Sequence, residues 1–132
     1  MKQIAYLLTV LVLFSFAAQL SADDKPIKHV EVEDISVASE AKNVFNETTL
    51  RLKSMQSLNA QELHDIHMIT YSLEKAVAYY VINSNGERKT SAEEIAEVVE
   101  KIHLASENGR SAQVRAHLDV YFELADEFAK EL

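Results

Sequence analysis

The stretch Leu63-His64-Asp65-Ile66-His67-Met68-Ile69-Thr70-Tyr71-Ser72-Leu73-Glu74-Lys75-Ala76-Val77-Ala78-Tyr79-Tyr80 decides the fold. Within it Leu63, Ile66, Thr70, Leu73, Val77 and Tyr80 recur at three- and four-residue steps, the period that returns side chains to one face of an α-helix. Asn59 before it suits an N-cap, and Glu62 three residues on completes a capping box. Asn83-Ser84-Asn85-Gly86 after it is a strong turn signal, so this helix ends near Asn83.

Working outward, the same period appears three more times. Val37, Ala41, Val44, Thr48, Leu52 and Met55 predict a first helix from about Ile35 to Met55, joined to the second through Ser57-Leu58-Asn59. Ser91-Ala92-Glu93-Glu94 reads as the capping box of a third helix with the stripe Ile95, Val98, Val99, Ile102, Ala105 and Ser106, closed by Asn108-Gly109. That helix is expected to be the shortest. Ser111 is the expected cap of a fourth, with Val114, Leu118, Tyr121, Ala125, Phe128 and Leu132 on its inner face. Two glycines and one proline in 132 residues leave few breakers. The expected class is all-α, a small antiparallel four-helix bundle over residues 35–132.

The N-terminus carries a different signal. Met1-Lys2-Gln3, an apolar run from Ile4 to Ala18, and Gln19-Leu20-Ser21-Ala22 read as a secretory signal peptide over residues 1–22. The run is shorter than the roughly 20 apolar residues of a spanning helix, and Asp23-Asp24-Lys25-Pro26 follows at once. Cleavage is expected after Ala22, with Ala17 the weaker alternative. The expected location is therefore exported, periplasmic or secreted, with no stable membrane insertion after cleavage. Residues 23–34 read as an extended leader. With no cysteine there is no lipid anchor on sulfur, no disulfide and no covalent haem attachment.

The full chain carries a net charge of −8, and removal of residues 1–22 takes away one lysine and no acid. A protein that neutralises phosphates needs a basic face, so nucleic acid is not an expected partner. Nor is an enzyme expected: there is no G-x-S-x-G, no Cys/His pair, no H-E-x-x-H helix and no glycine-rich phosphate loop. Glu93/Glu97 and Glu123/Glu127 read as solvated surface. Histidine is the unusual resource. His67 and His103 each fall about 80° from the centre of their stripes, boundary positions from which an imidazole reaches a neighbouring helix. His117 lies nearer its apolar face and His29 in the leader. His64 and His67 stand one turn apart, as do His64 and Met68, and imidazole with thioether suits copper or another borderline metal. Pairing of His67 with Glu74 or Asp65 would support either a metal site or a pH sensor. Tyr79-Tyr80 beside Val81-Ile82 puts apolar groups on several faces and points to self-association or a protein partner, with Tyr80 the residue to change.

Two stretches carry a resemblance. Ile66-His67-Met68-Ile69-Thr70-Tyr71-Ser72-Leu73-Glu74-Lys75-Ala76 and Ile102-His103-Leu104-Ala105-Ser106-Glu107 resemble a family of small exported proteobacterial proteins without assigned function. Its pattern is approximately I-H-x-x-T-Y-x-L-E-x-A followed by V-H-L-A-S-E. The resemblance implies a bacterial, periplasmic protein and points to His67, Thr70, Tyr71, Glu74, His103 and Glu107 as the candidate binding residues. It supplies no activity. More loosely, residues 102–130 resemble the C-terminal hairpin of the periplasmic four-helix cytochrome b. That family ligates haem with a Met early in helix one and a His late in helix four. Here Phe128-Ala129-Lys130 lacks the His and Met55 lies at the wrong end, so any haem would have to use His67 or His103 by another geometry. The expected function is a non-catalytic binding or accessory protein with a His-based metal or small-ligand site. Its competitor is a structural or stress-related interaction adaptor without a small ligand.

Overall fold

The computed structural model describes residues 30–132. The expected signal peptide, most of the leader and His29 lie outside the described residues. Four α-helices and a closing 3-10 turn, with no strand, make up the described residues: α1 (Ala38–Ser54), α2 (Ala60–Asn83), α3 (Gly86–Glu107), α4 (Ser111–Phe128) and the turn Ala129–Glu131. None of these helices is long and apolar enough to cross a membrane.

Each inner face is the one the periodicity picked out. On α2 all six stripe residues are buried, joined by Ile69 and Ala76, and the α3 stripe from Ile95 to Ser106 is likewise buried. The α1 stripe is less faithful. Val37 is exposed and not helical, while Phe45, outside the stripe, is buried against Phe128 in an edge-to-face contact at 5.5 Å. Consecutive helices pack as neighbours, with α2 on α3 the most extensive pairing. Thr49–Tyr121 and Phe45–Phe128 join α1 to α4 and close the bundle. The leader's end docks on it: Asp34 accepts a 2.6 Å hydrogen bond from Lys75, and Ile35 packs against the core.

The helix ends follow local chemistry. Asn59 Oδ1 accepts from Glu62 N–H at 3.0 Å, as expected, but the Glu62 carboxylate reaches back to Leu58 N–H at 2.6 Å, one residue earlier than a regular capping box. Leu58 is buried with φ +47°, a left-handed backbone that this bond holds in place. At its start α3 departs from expectation. Ser91 is not its cap but lies within it, and α3 has 22 residues against 17 in α1 and 18 in α4. Nothing between Gly86 and Ser91 breaks a helix, Lys89 faces Glu93 one turn on, and Arg88 is anchored to the Glu131 carbonyl. The α2–α3 connection therefore shrinks to Ser84–Asn85.

Asn108-Gly109 closes α3 as expected. Arg110 N–H bonds to Ala105 C=O at 2.8 Å and Gly109 N–H to Ser106 C=O at 3.1 Å, the two bonds of a Schellman motif, with Gly109 at φ +66°. That motif leaves Arg110, not Ser111, at the N-cap of α4, and no side chain caps that end. A Cβ on Gly109 would meet nothing within 4 Å, so Gly109→Ala pays only the left-handed backbone cost. That cost is about 1–2 kcal/mol. A thermal melt should fall by roughly 4–8 °C for each kcal/mol lost.

The aromatic end of α2 is also corrected. Tyr80 is buried at 6 % exposure against Tyr79 and Phe128, so it is core rather than a binding surface. The exposed apolar residue there is Ile82, 79 % accessible.

Candidate functional site

His67, Thr70, Tyr71 and Glu74 fall at i, i+3, i+4 and i+7, so one face of α2 carries all four. α3 meets that face with His103 and Glu107, one turn apart, and with Ser106 between them. The short turn sets the register. Thr70 lies 16 residues before Gly86 and His103 17 residues after it, so two antiparallel helices bring them level. One turn further along α2 in either direction stand His67 and Glu74. His67 and His103 are only 8 % and 5 % exposed, more deeply set than the boundary positions expected of them, because the α2–α3 seam closes over their flanks.

Hydrogen bonding fixes how His103 is presented. The Thr70 hydroxyl donates to the His67 carbonyl at 2.6 Å, and Thr70 Oγ1 lies 2.9 Å from His103 Nδ1. With its hydrogen committed to the carbonyl, Thr70 can only accept from Nδ1–H. In the neutral ring the lone pair then sits on Nε2. Glu74 Oε1 stands 3.0 Å from the same Nδ1 but off the line of a hydrogen bond, so it acts chiefly as a negative charge beside the ring. Burial pushes the Glu74 carboxyl above its usual range; the neighbouring His103 opposes that and Glu100 adds to it. Glu74 thus lies beside His103, and Asp65 accepts from Gln61 at 2.9 Å. The Ser106 hydroxyl donates to the His103 carbonyl at 2.9 Å.

Three rings meet at this point. Centroids of His67 and His103 are 4.7 Å apart, those of Tyr71 and His103 4.9 Å, and those of His67 and Tyr71 5.1 Å. The two imidazoles touch edge to face at 89°, which leaves no gap between them for a porphyrin plane. A haem held by this pair would need the seam to open.

A single ion fits the donors better. His67, His103 and Glu107 each offer one ligand atom, all within 4.8 Å of one another. Bonds of about 2.0–2.1 Å in a tetrahedral shell place ligand atoms about 3.3 Å apart, so contraction by an ångström or so completes the set. Glu107, half-buried at the end of α3, is the side chain with room to move. Two imidazoles and a carboxylate suit zinc, copper or nickel, whereas magnesium and calcium prefer all-oxygen sites.

A cleft of about 450 Å³ opens onto the cluster, walled by His64, His67, Ser106 and Glu107. Of the remaining sequence candidates, His64 is exposed on the cleft wall, while Met68 is 37 % exposed and does not line the cleft. His117 is half-buried on α4, outside the cluster. Ser106, a stripe residue that also falls in the second family-like stretch, is not among the sequence candidates; its three-residue spacing from His103 is the signal that ties it to the site.

No curated protein and no solved structure matches this chain. A family model does, over residues 1–130, nearly the full length. The two His-containing stretches lie inside that match, in line with the unassigned family their pattern resembles. The chain belongs to DUF6746, a family of unknown function.

Proposed function

We propose that this protein is an exported, non-catalytic metal-binding protein that holds one transition-metal ion between His67, His103 and Glu107. The observation that carries the reading is the convergence of these three donors within 4.8 Å from two adjacent helices. Three further features support it. Thr70 accepts from Nδ1–H of His103 and Glu74 sets a negative charge beside that ring, as outer partners of metal-bound histidines do to orient the ring and raise its basicity. Glu107 is the last residue of α3, where the carbonyl end of the helix favours a cation. A net charge of −8 raises the local concentration of cations. Export rests on the first 22 residues, and the non-catalytic role on the missing nucleophile and acid/base motifs.

Titration of the metal-free mature protein with cobalt(II) tests the reading, because cobalt reports its coordination in the visible spectrum. One equivalent should bind with intense visible bands, and zinc should displace it. A protein that takes up neither ion refutes the site. Attention would then move to an interaction role, which Ile82 favours, exposed beside an apolar groove walled by Val77, Val81 and Ala96.

A further inference from the structure

Three protein donors leave a four-coordinate ion one ligand short. We propose that His64 is that ligand, a mobile fourth donor that swings into the cleft when the ion binds and closes its coordination shell. The inference rests on the reading of His67, His103 and Glu107 as the metal site. His64 precedes His67 by three residues on α2, the spacing at which helical side chains are neighbours, about 5–6 Å apart at Cβ. Both line the same cleft. His64 stands outside the 4.8 Å set, so ligation requires it to move. Its exposure allows that: no packing fixes an exposed imidazole in one rotamer. The space exists as well. A cleft of about 450 Å³ holds an imidazole without displacing core, and a water occupies only about 30 Å³.

The other side chains on that wall suit a borderline metal less well or bring no donor at all. The Ser106 hydroxyl, held by its hydrogen bond to the His103 carbonyl, is a neutral oxygen and a poorer ligand for such an ion than an imidazole, and Ala60, Leu63 and Gly109 bring no ligating side chain. With His64 included, the set becomes three imidazoles and one carboxylate. That composition strengthens the preference for copper, zinc or nickel over magnesium and calcium. It also distinguishes two kinds of centre: three donors and a water leave a position for chemistry, whereas four protein donors make a closed binding site.

His64→Ala in the mature protein tests this, since an exposed residue can be truncated without unfolding the domain. Cobalt(II) affinity should fall at least tenfold while the stoichiometry stays at one. Azide, an anion that enters an open coordination position, should then shift the cobalt bands of His64→Ala and leave those of the wild type unmoved. Equal cobalt affinity in the two proteins, or an azide shift already present in the wild type, overturns the role of His64 and leaves the three-residue site intact. A wild type that binds no cobalt overturns the three-residue site itself, and this inference with it.

Discussion

His103→Ala is expected to lower cobalt(II) and zinc affinity by more than the 10–100-fold that loss of an outer-shell partner costs. Its ring does two things at once. Nδ1 is engaged by Thr70 at 2.9 Å and flanked by Glu74 at 3.0 Å, so the lone pair of the neutral ring is on Nε2, the atom through which the ring would hold an ion. Truncation removes a ligand and the group that Thr70 and Glu74 orient. Because His103 is buried, the same change also removes packing at the α2–α3 seam, and a stability loss alone could be mistaken for a lost site. Glu107→Gln separates the two. Glu107 is half-buried, and the amide keeps its volume while removing the negative charge that offsets a divalent ion. Affinity should fall strongly in both variants, with the melting temperature nearly unchanged in Glu107→Gln. Glu74→Gln should fall within the outer-partner range, because it removes a charge beside His103 and no ligand. Competition titration against a chelator of known affinity reads all three. Wild-type affinity in both His103→Ala and Glu107→Gln would move the metal elsewhere or remove it from the account.

How much of this was legible follows from what each signal encodes. Periodicity reports which face of a helix is apolar: α2 and α3 bury every residue it named, and α4 all but Leu132, which lies past its end and is half-buried. A capping box reports a sequence compatible with a helix start, and Ser91-Ala92-Glu93-Glu94 is equally compatible with a helix interior. With Gly86 the nearest breaker, continuation of α3 won. That one difference governs the site. A two-residue turn makes α2 and α3 a tight hairpin, and hairpin register decides that His103 lies level with Thr70. His67, Thr70, Tyr71 and Glu74 were singled out by the family resemblance, but which histidine Glu74 would meet was not legible, because it depends on the turn. Burial of His67 and His103 was likewise hidden: an angle measured from one helix's stripe ignores the neighbour that covers the stripe's edge. Phe45 was missed for the same reason, since its burial depends on Phe128 of α4.

The largest expected stability effect lies on the opposite seam of the bundle, at Tyr121. Its ring is fully buried, and its hydroxyl lies 2.6 Å from Thr49 Oγ1. Thr49 donates its own hydrogen to the Phe45 carbonyl at 2.7 Å, so Tyr121 must be the donor across the α1–α4 seam. Burial pushes the phenol far above its ordinary range and keeps that donor protonated. Tyr121→Phe leaves Thr49 satisfied by Phe45 and removes one buried hydrogen bond, which costs about 1 kcal/mol. Tyr121→Ala also removes the ring and leaves a cavity, and large aromatic truncations of that kind cost about 3–5 kcal/mol. Against the total of about 5–15 kcal/mol typical of a domain this size, the alanine variant should be close to unfolding in mild urea. Urea midpoints with unchanged slopes would measure both. Equal losses in the two variants would mean that the hydroxyl bond, rather than ring packing, holds α1 to α4. Because the proposed metal ligands sit between α2 and α3, Tyr121→Phe should bind cobalt(II) as the wild type does. An affinity that falls with it would mean the four helices position the site as one unit, and that the α2–α3 hairpin does not define it alone.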